Sequence, residues 1–549
     1  MDGRQVVDFF EKMRVERGNM EGLWRECIRY CLPYDREFYD DTGITDTTPG
    51  KRRASPVCSL PVIYANRLAS SLHNSLFPAT DYWCAFGFAG VDMSRDENAR
   101  RWAFYARDTW HEKIRQGTNF YQETHTMMLG LAVLGMGGFY TYYKNGGLHF
   151  RYIPINKNFY VARNSDGDID MAAILHDYTA KEAVEEFGVE NVSKECLDAL
   201  YNGNDSIQRF AFIQLVYPKK TFGEPYDLKK GGKPIGDVIV EKDTARVVRV
   251  SGHLRFPFAT PRFVMASDEL YGRSPAMNTM SAIREANGLR KNILEATLRA
   301  IKPAIFINSL VNVPISIASG SVNRIQNFDP NSIWTFPQPT DFSVAQEEMA
   351  SVNEDLKQGF FIDVFQALEQ TSRMTATEVT ERVRQKVESV SPIVSRLHWE
   401  FTRKVVLHSL MLLIENGDID PPPEYLGDWR NSLTIRHTSS LDMMLNQGVN
   451  AKTMNFVSQA TMLAQLQSVN PDVSNVLDTD AMLENLAENN MLPAKFFRTR
   501  EERDALRAQA AQAAQDAAEA ESEAQSARAA LDYAKADAVN GGTGYNGFN

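Results

Sequence analysis

At 549 residues, with 43% hydrophobic, 10% aromatic and 23% charged side chains, the chain has a globular balance and room for several subdomains. The formal net charge of −11 argues against a protein whose main task is to grip nucleic acid, because phosphate is neutralised by clustered Lys and Arg. A protein that DNA slides past is not excluded. Five sparse cysteines, Cys27, Cys31, Cys58, Cys84 and Cys196, point to reduced thiols and intracellular assembly. A zinc site among the first four has no Cys-x-x-Cys pair or ligand-spaced histidine to support it.

The first residues, MDGRQVVDFFEK, lack the apolar core of a secretory signal. The most apolar helical run, VVLHSLMLLI, is about half the length of a membrane span. Gln5 to Cys31 reads as a helix. The polar loop Pro33 to Pro56 carries Lys51-Arg52-Arg53, either a solvated face or a contact with DNA or a neighbour. Val57 to Leu76 is a second helix that Pro78 stops, and DYWCAFGF is a short strand. Arg95 to Gln116 and Asn119 to Leu134 are two more helices, bearing His111 and His125. No partner residues converge on either histidine.

Gly135-Met136-Gly137-Gly138 follows a helix and precedes strands, the reverse of a phosphate cradle, so it reads as a helix stop. Gly138 to Val264 is β-rich, with seven strand-like runs and two short helices, TAKEAVEEFG and KECLDALYNG. Asp166, Asp168 and Asp170 alternate as in a calcium loop, but the terminal Glu is absent, and Asp166-Gly167 more simply makes a hairpin.

The central stretch, Tyr271 to Gly417, organises the rest. Ser274-Pro275 starts a helix that Pro303 ends. Two short β-type runs, PAIFI and SIWTF, enclose a turn-rich lobe. Asp341 caps a returning helix in which Met349, Val352, Leu356, Phe360, Val364 and Leu368 recur every three or four residues. After the loop EQTSRM, Thr375 and Glu378 form a capping box for a long helix with Pro392 inside, where a kink is expected, and Gly417 at its end. SLTIRHTSSLD then returns to the body as a strand. Further helices run over Val449–Gln467, Thr479–Glu488 and Pro493–Phe497. From Thr499 the chain is alanine-rich with mixed charge, a helix former with little large apolar surface, and its last residues are a flexible end.

No Ser-His-Asp pattern, zinc spacing or nucleotide loop is present, so no catalytic, cofactor or metal residue is assigned and the chain reads as a non-enzyme. The surplus of amphipathic stripe implies neighbours, as in a ring with head-to-tail interfaces.

Tyr271-Gly272-Arg273-Ser274-Pro275 opening one helix, a two-stranded insert, a returning helix, and Met374-Thr375-Ala376-Thr377-Glu378-Val379 opening a long helix resemble the portal proteins of tailed bacteriophages, the head-to-tail connectors of short-tailed phages. The resemblance implies an α+β, mainly helical portal fold assembled as a dodecameric ring. Its wing would be 1–273, its stem helices 274–302 and 341–368, and its clip 303–340. The tunnel loop would be 369–374, a long wing helix with a return strand 375–445, and a crown 446–538, before the tail 539–549. It further implies a virion component at one capsid vertex, assembled in the host cytoplasm, that serves genome packaging, retention and ejection. Its partners would be double-stranded DNA, the major capsid protein, the terminase large subunit and tail adaptor proteins, with no membrane and no cofactor.

On that mapping Arg373 and Met374 face DNA from the tunnel loop. Arg284, Lys291, Arg299 and Lys302 are channel candidates on the first stem helix, or else ion-pair with acids such as Glu285 and Glu295. Trp334 and Phe336, beside Pro337, and Asn323 and Arg324 are clip candidates for docking partners, although the aromatics also suit the lobe's own core. The other reading is a tail-side or other oligomeric scaffold that does not enclose DNA.

Overall fold

The computed structural model describes residues 1–34, 56–91, 93, 96–155, 158–202, 208–226, 232–302, 343–369, 389–427, 429–438 and 500–540, with the backbone of 305–307 and 333–335. The chain divides into two units, Met1–Asn489 and Asn490–Asn549. The described part of the second is one helix.

Helix α1 (Gly3–Cys31) opens on a capping box, in which the Asp2 carboxylate accepts from Gly3 N and Gln5 accepts from Asp2 N. Its buried side chains recur every three or four residues from Val6 to Cys31. They serve two different cores. Val6, Phe10 and Met13 pack on a sheet, whereas Met20, Trp24, Cys27, Ile28 and Cys31 belong to the main core. Arg17 sits at the border, buried, with its guanidinium over the Tyr160 ring at 4.4 Å and Nη1 donating to Phe159 O at 3.2 Å.

The main core gathers α2 (Leu60–Leu76), β1 (Cys84–Phe88), α3 (Glu97–Gly117) and α4 (Phe120–Leu134). Gly135 ends α4 in the left-handed region, φ +81°, which only glycine adopts cheaply. Strands β2 (Gly137–Lys144) and β3 (Gly147–Pro154) form a hairpin, completed by β9 (Phe258–Ala259) in the order β3-β2-β9. The second sheet is an antiparallel meander of β4 (Phe159–Arg163), β5 (Ile169–Thr179), β6 (Arg209–Pro218), β7 (Ile235–Glu241) and β8 (Arg246–His253). Between β5 and β6 lie α5 (Ala180–Phe187) and α6 (Lys194–Tyr201). Because strand side chains alternate, Ile213, Leu215, Val238 and Val240 meet α1, and Phe210, Phe212 and Ile239 meet α5 and α6 on the other face.

After β9 (Phe258–Ala259) the chain turns into α7 (Pro275–Asn278), α8 (Met280–Ile301), the strand pair β10 (Ile305–Ile307) and β11 (Ile333–Thr335), α9 (Ser343–Gly359) and α10 (Ile362–Glu369). Two expected continuous helices are each broken. The first breaks at Thr279, whose hydroxyl donates to Pro275 O. The second breaks at buried Phe360 and at Phe361, φ +56°, directly after Gly359 meets the start of α8. Of the long helix, residues 389 onward are described. Pro392 lies within it, and residue 388, against which its kink would form, is outside the described residues; a π-helical turn, His398–Thr402, follows before α11 (Arg403–Glu415). Gly417, φ +80°, follows its end as expected. Strand β12 (Leu433–His437) pairs antiparallel with β1 and so returns to the body. Helix α12 (Arg500–Asn540) makes up the alanine-rich segment. The expected crown helices between 446 and 499, the Thr375–Glu378 box and the Lys51–Arg53 triplet lie outside the described residues.

The π-turn turns Glu400 inward onto Arg262. Arg262 N donates to Glu400 Oε2 at 2.8 Å, and Nη2 donates to Oε1 at 2.6 Å, with both side chains under a tenth exposed. Such a pair is costly to break from one side, because the survivor is a buried lone charge. Glu400→Ala is therefore expected to lower stability by about 3–5 kcal/mol. Arg262→Met combined with Glu400→Leu should recover most of that loss. The midpoint of chemical denaturation measures both.

Candidate functional site

The helix hairpin α8–α9 is the candidate site, and its root explains the Tyr-Gly-Arg-Ser-Pro motif. Tyr271 is buried and packs edge-on against Trp24, ring centroids 5.2 Å apart. A Cβ on Gly272 would meet the Gly135 carbonyl oxygen at 2.5 Å, so this crossing of two backbones requires glycine. Arg273 exchanges backbone hydrogen bonds with Val264. Ser274 Oγ donates to Val133 O at 2.7 Å and accepts from Met277 N at 3.0 Å, capping α7 while tying it to the end of α4. Pro275 then occupies the first helical position, where no amide hydrogen is needed.

Three further polar contacts fix the hairpin. Arg284 Nε and Nη2 each donate to the Glu26 carboxylate of α1 at 2.6 Å. That hydrogen bond, with the guanidinium's charge, holds Glu26 below the usual carboxylate range despite its partial burial. Asn287 Oδ1 accepts from Val57 N and Cys58 N, and Tyr64 OH donates to Asn353 Oδ1 at 2.6 Å. A Cβ on Gly359 would meet Thr279 Cγ2 at 1.9 Å, so the end of α9 lies on the start of α8 and the two helices run antiparallel.

Burial falls along the hairpin. Met280, Ile283 and Ala286 are buried, but Leu298 is 61% and Ile301 68% exposed, and Val344 at the facing end of α9 is 78% exposed. The outer half thus carries apolar side chains that the described body does not cover.

The channel candidates divide. Arg284 is committed to Glu26. Lys291 and Arg299 reach one acid from either side, Glu295, at 4.0 and 3.8 Å. Both are well exposed, so these pairs are worth little. Lys302 is exposed, with no ion-pair partner among the described residues. Arg373, Met374, Asn323, Arg324 and Phe336 lie outside the described residues, and of Trp334 only the backbone, in β11, is described.

The other singled-out groups are structural. His111 is buried, accepts from Trp83 N through Nε2 and donates from Nδ1 to Arg107 O, and burial pushes it down to about 3. His125 Nε2 lies 3.1 Å from Ser70 Oγ between α2 and α4. The five cysteines are buried thiols, and burial pushes Cys27 up to about 12, far from a reactive thiolate. Asn164 Oδ1 accepts from Asp166 N and Asp168 N, which makes the aspartate run a side-chain-stabilised turn. Among the described residues no group of three or more Cys, His, Asp or Glu could hold a metal. No described helix is long and apolar enough to cross a membrane. Sequence reasoning missed Glu26, Asn287 and Asn353 as the hairpin's anchors.

Residues 4–497 match the model of a family described as bacteriophage head to tail connecting protein. The chain belongs to that family of phage head-to-tail connectors. Among its relatives, a protein named "Probable portal protein" from Bordetella phage BPP-1 is 23% identical over 487 residues, 87% of this chain and 85% of that one. The "Portal protein" of Salmonella phage epsilon15 is 21% identical over 535 residues, 94% and 93% of the two chains. A solved structure titled "Neck of empty GTA particle computed with C6 symmetry" aligns over 78% of this chain and 90% of that chain, at 9% identity and a TM-score of 0.35.

Gly272→Ala should force the two crossing backbones apart and cost about 1–3 kcal/mol. A lowered melting temperature with unchanged secondary-structure content is the expected result. Gly147→Ala, with open space around it and no left-handed backbone to strain, is a milder comparison.

Proposed function

We propose that this connector is a portal protein. Copies stand around an axis as a ring, DNA passes through the lumen during packaging and ejection, and the ring retains the genome between the two. The observation that carries this reading is the hairpin. Its root is fixed by hydrogen bonds and backbone contact, while its outer half presents Leu298, Ile301 and Val344 to solvent. A lone subunit gains nothing from such exposure, whereas side-by-side copies bury it. The relatives named as portal proteins, matched over most of their length, support it.

On this reading 274–302 and 341–368 are stem, 303–340 is a clip that docks the terminase motor and then tail adaptors, 369–374 is a DNA-facing tunnel loop, and 446–538 is a crown. The ring is a dodecamer seated at one capsid vertex among major capsid proteins. It is a structural part rather than a catalyst. With a net charge of −11 the walls repel phosphate on the whole, and isolated basic residues guide the duplex without trapping it. Lys302, and Arg373 in the loop, suit that role better than Arg284, which Glu26 already engages.

Electron micrographs of the purified chain should show rings with an axial hole wide enough for a duplex. Compact monomers at all concentrations would refute the proposal. Replacing Glu369–Met374 with glycine and serine should leave rings intact but reduce genome packaging or retention, read as full-length DNA per particle. Normal yield from that variant would remove the loop from the mechanism.

A further inference from the structure

The hairpin has two unlike sides. Helix α8 with its cap residue carries five basic residues, Arg284, Arg290, Lys291, Arg299 and Lys302, against two acids, Glu285 and Glu295. Helix α9 reverses this, with Glu347, Glu348, Glu354 and Asp355 against Lys357. One helix of the pair is therefore net positive and the other net negative by the same amount.

The exposed apolar residues follow the same division. On α8 the half-buried seam toward α9 runs through Leu289, Ile293 and Ala296. Leu294, Leu298 and Ile301 form a stripe turned from that seam by roughly 140°, given about 100° per residue. Arg290 borders the stripe on one side and Lys291 on the other. On α9 the seam is Ala345, Met349, Val352 and Leu356, and Val344, Glu348 and Asp355 lie turned from it by about 100° in the opposite sense. Because the helices are antiparallel, those opposite senses put the two flanks on opposite sides of the hairpin. One flank carries Leu294, Leu298 and Ile301 with Arg290 and Lys291, and the other carries Val344 with Glu348 and Asp355.

Their heights also agree. Thr279 touches Gly359, and Leu294 and Val344 each lie fifteen residues from that contact along their own helix. With equal rise per residue they stand level. Arg290 and Glu348, each eleven residues from the contact, also stand level.

We infer that the occupant of each flank is a second copy of this chain. The α8 flank of one copy seats on the α9 flank of the next, with Leu294 against the neighbour's Val344 and Arg290 against the neighbour's Glu348. The interface is heterologous, since the two surfaces differ, and its repetition generates a ring where the rotation closes, never a closed dimer. This rests on the ring reading above and adds to it the side, polarity and level at which copies meet.

Leu294→Cys with Val344→Cys in the full chain provides the test, since the five native cysteines are buried. On mild oxidation, denaturing electrophoresis should show a ladder of covalent oligomers. Either single variant should give none, because each surface then meets a partner without a thiol. Separately, Arg290→Glu should reduce assembly at least tenfold in the protein concentration required, and adding Glu348→Arg should restore it. Rings in micrographs without a ladder would overturn the interface and leave the ring reading standing. A Leu294→Cys single variant that dimerises covalently would also overturn it, because like would then meet like. A wild-type chain without rings would refute both readings.

Discussion

The hairpin can leave the body only because its root is held from several directions. The tightest constraint is steric, since the Gly135 and Gly272 backbones cross where neither tolerates a Cβ. That crossing places Ser274 beneath the last carbonyls of α4, where one hydroxyl both caps the new helix and closes the old one. Glu26 from α1 and Asn287 beside the start of α2 then fix the rotation of α8 about its axis. Rotation matters more than position for such an element. A turn of one residue's worth would swing the exposed aliphatic stripe by about 100° and present charge in its place.

The electrostatic character of the chain follows from the same geometry. The overall excess of acid hides a local segregation, with basic residues concentrated on one rod and acids on its mate. Arg284 shows why a basic residue on such a rod is not automatically available to DNA. Its bidentate contact with Glu26 uses the planar fork of the guanidinium. Lys302 at the outer end has no such commitment among the described residues.

Much of the architecture was legible in the sequence because it is locally encoded. Strand alternation and the Asp166-Gly167 turn marked the meander, and Ser274-Pro275 and Gly417 marked helix ends within a residue or two. The shared pairing of Lys291 and Arg299 with Glu295 follows from helical spacing alone. What could not be read was encoded across long separations. Glu26 and Arg284 are 258 residues apart, and Arg262 and Glu400 138 apart. Neither has a local signature. The breaks at Thr279 and Phe361 are also tertiary, arising where the hairpin's two ends press together at Gly359. The π-turn at His398–Thr402 accommodates a buried ion pair that no pattern of apolar residues announces.

Helix α1 has a mechanical consequence. Its first half is seated in the five-stranded sheet and its second half in the main core, with no hinge between them and Arg17 clamped at the crossover. A continuous rod embedded at both ends is stiff, since close-packed interiors pass strain on rather than absorb it. The sheet is thus an outrigger on a rigid boom. Torque applied to it reaches Glu26, and through Glu26 the base of α8, without crossing a single loop.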